Sequence, residues 1–274
     1  MVISIAGTLV ATGWLIGAPA GEQGTLLAAV LVALLAGVSV SVTGIFGGVL
    51  VPGLLLLGMD VRFVAALSLT LQVIVVPVGA FDHYRRGNIR SSIANPLIVG
   101  GALGAIAGAY LVTHLPAAIV EKSVALIIVI IGIVVLVRAR PEPRSLRGDP
   151  SFRRIAGIGG AAGFASGISG AGWGPIGVKL LILSNIEARL AIGSSLVGRG
   201  FMAVAAIATY VVTTGFIFGA SQDWLIAIPL LGAAVAGVGT GAFLITRLSR
   251  RPAMLTVAIL SIALASPTLL KGIW

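Results

Sequence analysis

Two stretches, "SVALIIVIIGIVVLV" at 123–137 and "AMLTVAILSIALASPTLL" at 253–270, carry no charged residue and are apolar on every face. Segments of this length and character read as helices that use lipid as their solvent. The composition leaves no alternative. Of 274 residues, 58% are hydrophobic and 9% charged, with a mean hydropathy of +1.14. A soluble domain of this size cannot hide that much apolar surface. Strands of a membrane barrel would alternate polar and apolar residues, and these runs do not. The fold class is therefore all-α, a polytopic helical membrane protein.

The net charge of +10 does not point to nucleic acid. Arginine gathers between the apolar segments, at 85–90, 138–154 and 247–251. That is the positive-inside pattern of cytoplasmic loops. The chain has no cysteine, so disulfides and thiolate metal sites are excluded, and no metal or cofactor is expected. Residues 1–17 are apolar and lack a basic leader, although Ala18-Pro19-Ala20 resembles a cleavage site. A retained helix is favoured there over a cleaved signal.

The chain looks duplicated. At an offset of 127, Asp60, Ser68 and Gln72 fall on Glu187, Ser195 and Arg199; Arg62 falls on Arg189. Farther along, at 133, Pro96, Gly104 and Gly108 meet Pro229, Gly237 and Gly241. Matched charges, prolines and glycines in one order are not expected from chance. The division is 1–24 as an N-terminal apolar helix and loop, 25–137 as the first repeat, 138–153 as a basic cytoplasmic linker, and 154–274 as the second repeat. Each repeat reads as a long span (25–43; 155–169), a glycine-rich break (44–48; 170–174) and a short helix (49–57; 175–183). Three spans follow, at 63–83, 93–113 and 117–137 and at 189–213, 224–245 and 252–270. If all three arginine clusters are cytoplasmic, the repeats are inverted, a transporter signature. Each break with its short helix is then expected to count as one crossing, and a hairpin returning to its own side to leave the repeats parallel. Arg62 alone does not fit the charge pattern. Gly100, Gly104 and Gly108, like Ala233, Gly237 and Gly241, share a helix face and read as close packing.

The breaks are where chemistry is expected. "SGISGAGWGPIGVK" at 166–179 places five glycines and Pro175 inside an apolar segment. Irregular backbone at membrane depth is tolerated only when it is buried in protein or lines a cavity. The helix after such a break presents free N–H groups and the positive end of its dipole, which suits an anion. Gly47–Val49 and Gly174–Ile176 supply those starts, and two of them are expected to face each other near the midplane. Lys179 lies one turn into the second short helix. Arg199 lies mid-span, four residues after Ser195, as Gln72 lies four after Ser68. A cation at mid-bilayer costs at least ~2.5–3.5 kcal/mol on insertion scales. The acids Asp60, Asp82, Glu187 and Asp223 are expected at span ends or in turns, which makes an external anion the expected counter-charge.

Competing readings exist. Lys179 can snorkel to a surface, Arg199 can cap carbonyls of a neighbouring helix, and Ser166, Ser169, Ser194 and Ser195 can bond within their own helices. Asp82 and His83 beside Arg85 read as a solvated ion pair. Gly167-Ile168-Ser169-Gly170 matches the G-x-S-G string of intramembrane serine proteases, but the two histidines, His83 and His114, lie near span ends in the first half. An anion channel is the third reading.

The strings "TGIFGGVLVPGLLLLGMDVRFVAALSL" (43–69), "HYRRGNIR" (83–90) and "GFASGISGAGWGPIGVKLLILSNIEARLAIGSSL" (163–196) resemble the TauE/SafE sulfite exporter family. The resemblance covers about residues 25–270. It implies a bacterial or archaeal inner-membrane transporter that moves sulfite or an organosulfonate such as sulfoacetate, generally outward. The chain departs from the pattern at Phe46 and Leu67, and at Trp173, Pro175 and Lys179, which make the second repeat the more cationic. The expected substrate site combines Arg199, Lys179, Ser195, Ser194, Ser68, Gln72, Gly47, Gly48, Trp173 and Gly174, with a small anion and the lipid bilayer as partners. A homodimer is left open.

Overall fold

The computed structural model describes residues 23–43, 45–137, 151–215, 223–244 and 250–270. The apolar N-terminal segment and most of the basic linker lie outside the described residues. Among those described, all regular structure is helical. The first half contains α1 (Gln23–Thr43), α2 (Gly47–Leu56), α3 (Val61–Arg85), α4 (Ser91–His114) and α5 (Ala117–Val137). The second half contains α6 (Phe152–Ser169), a π-helix (Trp173–Val178), α7 (Lys179–Leu183), α8 (Ala188–Thr214), α9 (Asp223–Leu244) and α10 (Arg250–Leu270). Four stretches, in α1, α4, α5 and α8, are long and apolar enough to cross a bilayer, and α2, α3, α9 and α10 hold shorter apolar stretches.

Glycine sets how these helices meet. A Cβ at Gly100, Gly104 or Gly108 would strike the carbonyls of Ala156, Gly160 and Phe164, so α4 and α6 run side by side in the same direction with their backbones in contact. Likewise a Cβ at Gly37 would strike Ala234 O, and one at Gly237 would strike Leu34 O, along α1 and α9. The close-packing reading of Gly100, Gly104, Gly108 and Gly237 therefore holds, and each long pairing joins the first helix of one half to the fourth of the other.

The sequence expectation that each break and short helix crosses the membrane is corrected. Gly53 of α2 packs against Val32 in the middle of α1, and Gly177 against Ala162 of α6. Both short segments fold back along the helix that precedes them. The ends agree: Gly193 and Ser194, near the start of α8, touch Asn88 and Arg90 at the start of α4, which is also the end where α6 begins. A hairpin that returns to its own side adds no crossing, so the expectation that such hairpins leave the repeats parallel does not follow when an odd number of spans comes after each one.

The hairpin tips differ in chemistry. Gly170 ends α6 in the left-handed conformation, φ 66°, which a side chain would resist. The expected α-helix from 175 is instead a π-helix from Trp173, with α-helical turns only from Lys179. Pro175 has no N–H to give to an i−4 carbonyl, and a widened turn accommodates that gap. In the first half α2 begins at Gly47, so Gly47 and Gly48 belong to its first turn and not to the break.

Candidate functional site

The two hairpin tips abut. A Cβ at Gly47 would come within 2.5 Å of Gly170 O and 2.6 Å of Ala171 Cα, so the start of α2 lies on the tip of the second hairpin. From α3, Ser68 Oγ donates to Gly170 O at 2.8 Å, and Gln72 Nε2 donates to the same carbonyl at 2.8 Å and to Ser68 O at 3.0 Å. The other end of the Gln72 amide accepts Arg199 Nε at 2.7 Å from α8. Two helices and a hairpin tip thus share one polar cluster, Ser68–Gln72–Gly170–Arg199. Its side chains are buried, with Arg199 only 5% exposed.

This arrangement follows from helical spacing. Ser68 and Gln72 are four apart and share one face of α3. That face meets α8, where Arg199 occupies the corresponding position. The Gln72 amide reads both partners at once, taking a proton from the cation and giving one to the carbonyl. Sequence reasoning named Ser68, Gln72 and Arg199 but not Gly170, whose carbonyl joins them. The signal for it was the glycine after Ser169 at a helix end, where a left-handed residue turns its carbonyl out of the ladder.

Trp173 opens the π-helix with its indole 1% exposed, lodged against Gly101 of α4 and Gly198 of α8. Its Nε1 donates to Ser195 O at 2.9 Å. The Ser195 hydroxyl turns back to Ile192 O at 3.0 Å. Gly174 and Lys179 are half-buried on the π-helix and at the first turn of α7. The expected main-chain donors are reduced, because Val49 N–H reaches Phe46 O and Ile176 N–H reaches Gly172 O; among the described residues no partner stands for the N–H groups of Gly47, Gly48 and Gly174.

Ser194 is not brought to the cluster. Its Oγ accepts the Arg90 N–H at 3.0 Å and so anchors the basic turn before α4. Ser169 Oγ donates to Ala165 O at 2.7 Å and accepts the Ala171 N–H at 3.1 Å, a role in shaping the tip. Ser166 Oγ is buried and has no hydrogen-bond partner among the described residues. Tyr210, which sequence reasoning missed, donates from its hydroxyl to Gly167 O at 2.9 Å and ties α8 to α6 just before the break.

The profile of the family described as "Sulfite exporter TauE/SafE" matches residues 29–267. Among curated proteins, the chain is 23% identical over 181 residues to the probable membrane transporter protein YtnM of Bacillus subtilis (strain 168), covering 64% of this chain and 59% of that one. It is 31% identical over 171 residues to the probable membrane transporter protein YdhB of the same organism, covering 60% and 66%. It is 25% identical over 244 residues to the probable membrane transporter protein YjnA, also from that strain, covering 84% and 94%. The alignments with YtnM and YdhB thus span under two thirds of each relative's length. No solved structure matches.

Proposed function

The chain belongs to the TauE/SafE sulfite exporter family of multi-pass membrane transporters, and on that premise we propose that it exports a small sulfur-containing anion, sulfite or an organosulfonate such as sulfoacetate, by alternating access. The observation that carries this reading is the Arg199 guanidinium. It is buried within a helix apolar enough to span the membrane, held by a neutral amide, at the junction of two broken hairpins. A buried guanidinium in a membrane protein marks a substrate path more readily than a packing element. Its planar fork suits the tetrahedral or pyramidal oxygens of sulfonate and sulfite. The N–H groups of Gly47, Gly48 and Gly174, with Lys179 half-buried nearby along the second hairpin, supply the remaining positive potential.

The two halves read as inverted repeats. The contact of Gly163 with Gly101 O matches that of Gly37 with Ala234 O at offsets of 126 and 133, and Gly104 with Gly160 O matches Gly237 with Leu34 O at the same offsets. Gln72 and Arg199, equivalent positions, touch across the implied axis. With the arginine turns cytoplasmic, the α4–α5 turn faces outward, and rocking one hairpin unit against the other exposes the cluster to each side in turn.

Calorimetric titration of the purified protein with sulfite, sulfoacetate, sulfate, thiosulfate and a carboxylate control, repeated on Arg199→Gln, tests this reading. A preference for the sulfur anions that the variant loses is expected. Equal affinity in the variant refutes the arginine's role, and preference for the carboxylate refutes the sulfur reading. Flux far above carrier rates, without saturation on exchange, would instead indicate a channel.

A further inference from the structure

Arg62 is a basic residue outside the arginine clusters, as is Lys122 near the start of α5. Arg62 sits at the start of α3, on the end opposite the arginine turns, and is half-buried. Its Nη2 donates to Leu115 O at 2.6 Å, at the end of α4, while its buried Nε has no partner among the described residues. The neighbouring carboxylate does not pair with it: Asp60 Oδ1 accepts the main-chain N–H groups of Arg62 and Phe63, at 2.8 and 3.1 Å, and so caps α3. Glu121, on the same end, forms no ion pair with Arg62 among the described residues.

The equivalent turn of the second half needs no such burial. Arg189 is 65% exposed and paired with Glu187. Desolvating a guanidinium edge is costly unless its donors are used, so the half-buried state of Arg62 is not explained by turn formation alone. Its position is informative. Six residues separate it from Ser68, about 9 Å along the helix axis. Between them, Ala65 O lies 2.9 Å from a Cβ built on Gly170, at the hairpin tip. The Arg62 charge also lies within electrostatic reach of Tyr210, whose hydroxyl holds Gly167 O beside that tip.

We propose that Arg62 forms an outer anion subsite, receiving an oxyanion on the extracytoplasmic side of the hairpin junction, one step beyond the Ser68–Gln72–Arg199 cluster. This rests on the transport reading above. The guanidinium keeps its Nε unused among the described residues while Nη2 stays fixed on Leu115 O, so receiving the anion engages the Nε edge. Such a subsite lowers the barrier for release from the buried cluster and binds the anion from outside.

The chain contains no cysteine, so Arg62→Cys creates a unique thiol. The full chain is reconstituted in liposomes, and exchange of sulfite and of sulfoacetate is measured with the anion added to either face. Half-saturation from the outer face should rise about tenfold in Arg62→Cys, and from the cytoplasmic face by less than about twofold. A membrane-impermeant cationic methanethiosulfonate, with excess reagent removed, should restore the outer value for sulfoacetate and an anionic one should not, and saturating sulfoacetate should slow both labelling reactions. Arg62→Lys should fall between wild type and Arg62→Cys. If the outer and inner values change together, or if the charge restored by the cationic reagent has no effect while thermal stability falls, Arg62 is only a cap on α4 and the subsite is refuted. If the wild type moves neither anion, the transport reading fails and the subsite falls with it.

Discussion

Replacing Gln72 with leucine tests whether the amide holds the hairpin junction together. Leucine has nearly the same volume, so packing is kept and the polar contacts are deleted. The contact to the charged Arg199 Nε accounts for about 1.5–3 kcal/mol and that to Gly170 O for about 1 kcal/mol, together roughly 3 kcal/mol. For a chain of this size each kcal/mol moves the midpoint by about 2–4 °C, so Gln72→Leu should unfold roughly 6–12 °C earlier in detergent. Gln72→Glu separates structure from function. The carboxylate retains a partner for Arg199 but loses the donor to Gly170 O, at a cost of about 1–3 kcal/mol. It also supplies an internal negative charge where the substrate is expected, so anion binding should be lost while the protein still folds. Thermal unfolding and calorimetric titration with sulfite read the two effects. An unchanged midpoint in Gln72→Leu, or wild-type affinity in Gln72→Glu, would show that the amide is incidental.

Other consequences are equally direct. Gly101→Val should destabilise the protein by about 1–3 kcal/mol through overpacking against the Trp173 ring, with partial recovery in the double variant with Trp173→Leu, measured by thermal unfolding. Gly104→Leu and Gly237→Leu should both prevent assembly, since each meets a backbone carbonyl that cannot move aside; the amount of monodisperse protein recovered by size exclusion reports it. Tyr210→Phe removes the bond to Gly167 O and should lower stability by about 0.5–1.5 kcal/mol, read as a shift in the unfolding midpoint. Single cysteines at the exposed positions Arg86 and Pro116 should be labelled by impermeant thiol reagents from opposite sides, the first from the cytoplasm. Labelling from one side would overturn the crossing count.

Helix positions were legible in the sequence because lipid imposes a simple rule: charge ends a span and glycine breaks one. The expected spans 93–113 and 117–137 became Ser91–His114 and Ala117–Val137, and the expected short helix 49–57 became Gly47–Leu56. Direction was not legible in the same way. A glycine-rich break permits the chain to continue or to fold back, and local sequence does not choose between them. The choice is made by what the short segment packs on, Val32 for Gly53 and Ala162 for Gly177, contacts between residues far apart in sequence that no periodicity reveals. The π-helix escaped for a related reason. Pro175 reads as a favourable first residue of an α-helix, but the structure places it third in a π-helix whose first residue, Trp173, fills the slot between Gly101 and Gly198.

The same distinction explains the site. Side chains at four-residue spacing, such as Ser68 with Gln72 and Ser195 with Arg199, announce a shared face, yet two such faces do not have equal roles. Gln72 and Ser68 both turn to the Gly170 carbonyl, whereas the Ser195 hydroxyl folds back on its own helix and lends only its carbonyl to Trp173. The asymmetry lies in the pair at the centre. At equivalent positions one half carries an amide and the other a guanidinium, and the amide can satisfy a cation and a carbonyl simultaneously, as no charged residue could. Two arginines there would repel, and an arginine facing a glutamate would cancel the positive charge. Glutamine opposite arginine keeps one net charge, fixed in orientation, where the two hairpin tips abut. The proposed transport reading needs just such a single charge, held firmly enough to attract an anion and lightly enough to let it go.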